Sequence, residues 1–139
     1  MKGVMALLCG FVLLGGMMAG CQPSAETEQR AKLDDAIHRV ERGVASFYSL
    51  GQDAPPSDIR SEAERLSASW DEVEAASKGL EGIDSSQAAA ALQELLSTIE
   101  ALPEDPQETS PMQGVIPRLE AFRSALNDLD TAVERGASQ

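Results

Sequence analysis

Ile59-Arg-Ser-Glu-Ala63-Glu-Arg-Leu66-Ser-Ala-Ser-Trp70-Asp-Glu-Val73 carries its apolar residues at alternating spacings of four and three, with charged and hydroxyl residues between them. Side chains at that spacing share one face of an α-helix, whereas a half-buried strand would need apolar residues at every second position. The segment therefore reads as helix, and Ser77 and Leu80 continue its stripe. The same alternation recurs on both sides. Upstream it picks out Leu33, Ile37, Val40, Val44 and Phe47. Downstream it picks out Ala88, Leu92, Leu95, Ile99 and Leu102, then Met112, Val115, Leu119, Phe122, Leu126, Leu129 and Val133. Ser77 is the only polar member of the four stripes.

Narrow stripes of this kind suit helices packed at about 20° to one another. The breaks between them are short. Gly51 to Pro56 separates the first two, Asp84-Ser85-Ser86-Gln87 offers a cap acceptor with Gln three residues on, and Pro103 to Pro111 separates the last two. Gly136 fits a terminating position. Short connections favour antiparallel neighbours, so the expected fold is all-α, an antiparallel up-down-up-down four-helix bundle over residues 28–136.

Small residues often flank the stripes: Ala36, Gly43, Ser69, Ala76, Ala91, Ala125 and Ala132, with Leu50, Glu62 and Arg118 as exceptions. Such a flank lets helix pairs approach closely. Pro117 falls inside the fourth stripe and lacks a donor, so that helix either kinks there or begins near Ile116. The two halves share a layout of helix, proline-containing loop and helix. Leu66 to Val73 can be laid on Phe122 to Leu129, although common heptads account for much of that likeness.

The chain opens Met1-Lys2 and then runs without a charge to Glu26, with its strongly apolar part ending where Gly15, Gly16, Ala19 and Gly20 dilute it. That is the layout of a signal peptide and is short for a permanent span. Its end, Met18-Ala19-Gly20-Cys21, resembles the lipobox of bacterial lipoproteins, with Met18 departing from the usual Leu. The resemblance implies cleavage after residue 20, diacylglyceryl transfer to the Cys21 thiol and a further acyl chain such as palmitate on the new amine. Residues 21–27 are then a lipidated tether and 137–139 a tail. Gln22 stands where an Asp commonly retains such proteins in the inner membrane. The implied address is the inner leaflet of the outer membrane, facing the periplasm. Braun's lipoprotein shares lipid and heptads, but this chain is broken by prolines and ends Gly136-Ala137-Ser138-Gln139, without the lysine that links that family to peptidoglycan.

Loss of residues 1–20 removes Lys2 and no acid, which leaves ten basic residues against 23 acidic ones, a net charge of -13. Such a surface disfavours nucleic acid and anionic headgroups, so membrane attachment falls to the lipid. Cys9 leaves with the signal and Cys21 carries the lipid, so the domain has no disulfide to stabilise it.

Candidates for chemistry are few. His38 is the only histidine, follows the stripe residue Ile37 and so turns to solvent beside Asp34, Asp35 and Arg42. The stripes hold no Glu or His for a di-metal centre, Met112 reads as core, and no Cys-x-x-Cys-His run exists for haem. Acidic groups cluster at Glu62, Glu64, Asp71, Glu72 and Glu74, at Glu100, Glu104, Asp105 and Glu108, and at Asp128, Asp130 and Glu134, without EF-hand spacing. The expectation is a non-enzymatic envelope protein with no cofactor or metal beyond the lipid on Cys21. Its role is structural or that of binding an envelope protein partner. The alternative is a weak ligand or cation carrier, for which those acidic patches are the motivation. Tyr48 and Leu50, near the first loop, are the candidate contact surface, and heptads leave the oligomeric state open.

Overall fold

The computed structural model describes residues 24–105 and 109–138. Four helices follow one another: α1 (Ala25–Ser49), α2 (Pro56–Ser77), α3 (Ser86–Glu100) and α4 (Pro111–Ala137). The described residues contain no strand. The fold is the expected all-α four-helix bundle. α1 packs most closely on α2 and α3 on α4, while the α1–α4 and α2–α3 seams are looser. Cross-helix contacts fix the directions. Gln29 of α1 donates to the carbonyls of Ala76 and Lys78 at the end of α2, and Arg39 pairs with Glu72 farther in. Arg30 lies against Gly136, so α4 also runs antiparallel to α1.

Every stripe residue is buried except Ser77 and Leu102, which are half-buried at the ends of α2 and α3. Among the described residues the buried apolar side chains run from Leu33 to Val133 and form one cluster. At its centre Trp70 of α2 meets Phe122 of α4 edge to face, ring centroids 5.8 Å apart and 76° between planes. The Trp70 indole N–H donates to Glu74 Oε1 at 3.0 Å, which satisfies the one polar atom of that ring. Ala36 and Ala125 of the small flank are buried, and Gly43 admits Leu66. A Cβ there would lie 3.0 Å from Leu66 Cδ1.

The helix ends differ from the expected boundaries in informative ways. α1 begins at Ala25 rather than at residue 28. Ser24 caps it, its Oγ accepting from the Thr27 N–H at 3.2 Å, while Glu26 and Glu28 face the positive end of the helix dipole. The α3 cap is shifted by one residue. The carbonyl of Ser85 opens the helix by accepting from the Ala89 N–H, while Asp84, one residue earlier, accepts from the Ser86 N–H at 2.9 Å. α4 is one helix from Pro111, so it does not begin near Ile116. Pro117 is exposed on it, and the Gln113 carbonyl that it leaves without a helical donor is on an exposed residue open to water. Gly136 does not terminate α4, which continues to Ala137. Gly79 and Gly82, with φ of +82° and +77°, carry the turn from α2 to α3 in the left-handed region that other residues avoid.

Two outcomes follow for stability. Gly43→Leu forces a side chain onto buried Leu66 and should cost about 1–3 kcal/mol. Gly114→Ala, where a Cβ meets nothing within 4 Å, should gain up to about 1 kcal/mol. Urea denaturation midpoints of the two variants should move in opposite directions. The Ser86 hydroxyl and backbone N–H together hold the Asp84 carboxyl below the usual carboxylate range. A folded value below the unfolded one adds stability that is present above about pH 4 and lost as pH falls through the lowered value. Thermal melts of wild type and Asp84→Ala should therefore differ at pH 5 and converge as pH drops below 4.

Candidate functional site

Antiparallel packing divides the bundle into two ends. One holds Ser24, the turn from α2 to α3 and the C-terminal turn of α4. The other holds the loop before Pro56 and the chain that leads into Pro111. Cys21 and the signal segment lie outside the described residues, but Ser24 places the chain's entry at the first end.

That end is tied together by Arg30. Its Nη2 donates to Glu26 Oε1 at 2.9 Å and to the Glu81 carbonyl at 3.3 Å, linking α1 to the turn after α2. The rest of the guanidinium lies over Gly136, where a Cβ would come within 2.8 Å of Arg30 Cζ. Gly136 thus serves close approach of a neighbouring side chain and not helix termination. At the opposite end the Ser110 hydroxyl donates to the Gln52 carbonyl, and Arg60 Nη2 donates to the Leu102 carbonyl at 2.7 Å. Asp53, Asp58, Glu100, Glu104 and Asp105 are exposed there, and Glu108 lies outside the described residues.

The loose seam between α1 and α4 opens as a groove of about 780 Å³, lined by Glu41, Val44, Ala45 and Tyr48 on α1 and by Glu120, Arg123, Ser124, Leu126 and Asn127 on α4. Tyr48, at 41% exposure, is the one exposed large apolar side chain among the described residues, and it borders this groove. Leu50 does not join it. It is half-buried and packed against the core, with its N–H donating to the Phe47 carbonyl as α1 ends. Of the two residues paired by sequence proximity, Tyr48 is thus exposed beside the groove and Leu50 belongs to the bundle's end.

Farther along the same seam, toward the chain's entry, Asp34, His38 and Asp130 converge. One ligand-capable atom of each lies within 4.8 Å of the other two. Asp34 and His38 are one helical turn apart on α1, hence on one face, and Asp130 comes from α4. His38 is exposed as expected, and its Nδ1 lies 3.8 Å from Glu41 Oε2. Sequence proximity placed only Asp34, Asp35 and Arg42 beside His38, and Asp130 in a separate acidic cluster with Asp128 and Glu134. Asp130 follows the buried Leu129 and so sits at the edge of the stripe, where residues border the neighbouring helix. That position was legible, but which helix it borders was not.

Comparison with protein-family models, with curated proteins and with solved structures finds no match to this chain. Among the described residues no helix is long and apolar enough to cross a membrane.

Proposed function

We propose that the chain is a lipid-anchored bacterial envelope protein, held by acyl chains on Cys21 at the periplasmic face of the outer membrane, with a structural or partner-binding role and no catalytic one. The observation that carries this reading is the apolar run ending Met18-Ala19-Gly20-Cys21, and the distance in sequence from that cysteine to the first helix sets its geometry. Only Gln22 and Pro23 separate that cysteine from Ser24, the cap of α1. A chain that short reaches at most about 10 Å. Acyl chains bury about 0.8 kcal/mol per methylene, and two or more hold a protein stably.

The geometry supports the reading in a second way. With the tether so short, the end bearing Arg30, Glu81 and Gly136 faces the bilayer. The end bearing Asp53, Glu100 and Asp105 faces away from it, and the Tyr48 groove lies along the side. A partner would meet an acidic end or that groove. The apolar stripes are used within the bundle, because all but the two terminal ones are fully buried. A heptad surface left for a second chain is therefore small, which supports a monomer over an obligate coiled coil.

Expression in a Gram-negative host should give a product whose N-terminal fragment has the mass of a lipid-modified Cys21, recovered with outer membranes on a density gradient. Cys21→Ser should abolish both the modification and membrane recovery, and Gln22→Asp should move the protein to the inner membrane. A mature protein with a free Cys21 thiol in the soluble periplasmic fraction would contradict the reading.

A further inference from the structure

We propose that Asp34, His38 and Asp130 form a binding site for a divalent transition-metal ion, of which zinc is the representative, that joins α1 to α4. Three observations carry it. The three side chains come from two helices and bring one imidazole nitrogen and two carboxylate oxygens within 4.8 Å of one another. The Oδ1 atom of Asp130 is fully buried and accepts no hydrogen bond. None of the ion pairs among the described residues reaches Asp34 or Asp130. Arg30, which lines a neighbouring pocket together with Asp34, has its Nη2 committed to Glu26 and the Glu81 carbonyl, while its Nη1 is buried without a partner over Gly136.

A buried carboxylate oxygen without a partner is costly, and a bound cation removes the cost. The donor set selects the cation class. Nitrogen plus two oxygens is the chemistry of zinc and its neighbours, with bonds of about 2.0–2.2 Å and room for a fourth ligand from water. Calcium wants six to eight oxygens, which three side chains on two rigid helices do not supply. His38 is exposed and Asp34 half-buried, so both can rotate the short distance needed to close on an ion. Glu41 Oε2 lies 3.8 Å from His38 Nδ1, near enough to turn toward a metal-bound imidazole as its outer carboxylate. The location also matters. The ion would bridge one of the two looser seams of the bundle, close to where the chain enters it.

The test uses the chain from Gln22 onward, which contains every buried apolar residue among those described. Calorimetric titration with zinc chloride should show one equivalent bound, and zinc should raise the thermal midpoint. His38→Ala and Asp130→Asn should each weaken binding by at least about tenfold and remove the midpoint rise. Asp128→Asn, on the exposed neighbouring position of α4, should leave both intact. Calcium should give neither effect. Because His38 is exposed, its variant should keep the helical circular dichroism of wild type. Absence of zinc heat, equal zinc affinity in wild type and His38→Ala, or a calcium response matching that of zinc would each overturn the proposal.

Discussion

The edge-to-face contact of Trp70 with Phe122 joins two helices that are not neighbours around the bundle. α1 and α2 pack closely as one hairpin, α3 and α4 as another, and the surface ion pairs Arg39–Glu72 and Arg118–Glu94 each lie within a hairpin. Exposed pairs of that kind contribute little. Apolar contact at the core joins the hairpins, with hydrogen bonds from Arg60 and Ser110 at one end, and the ring pair is worth about 0.5–1.5 kcal/mol beyond the area it buries. The described residues hold no cysteine, so no disulfide among them adds to that contact.

Grooves lie along the looser seams and also within the second hairpin, where Glu94 and Ser97 of α3 and Arg118 of α4 line one. The Tyr48 groove and the Asp34–His38–Asp130 cluster both lie between α1 and α4, the first and last helices. Arg30, folded over Gly136, closes the end of the same seam. That seam begins at the end where the chain enters the bundle.

The fold was legible because it depends on one periodicity. Leu33, Leu66, Leu95 and Leu119 could be assigned to a core without knowing which helix faces which, since every pairing of stripes buries them. The helix ends were less legible, because capping is decided by one hydrogen bond. Asp84 looks like the cap of α3, yet Ser85 supplies the first carbonyl. Gly136 has the composition of a stop signal, but its lack of a Cβ is used by Arg30, more than one hundred residues earlier in the chain. Asp130 shows the same limit. Its meeting with Asp34 and His38 depends on the register of α4 against α1, which no local pattern encodes.

If the two hairpins share a single core, they must unfold together, and the chain offers a direct reporter because Trp70 is its only tryptophan and sits at the junction. Urea unfolding followed by Trp70 fluorescence and by far-ultraviolet circular dichroism should give coincident single transitions. A fluorescence transition well below the loss of helix would mean that the hairpins separate first, and would contradict a bundle held together at the Trp70–Phe122 contact.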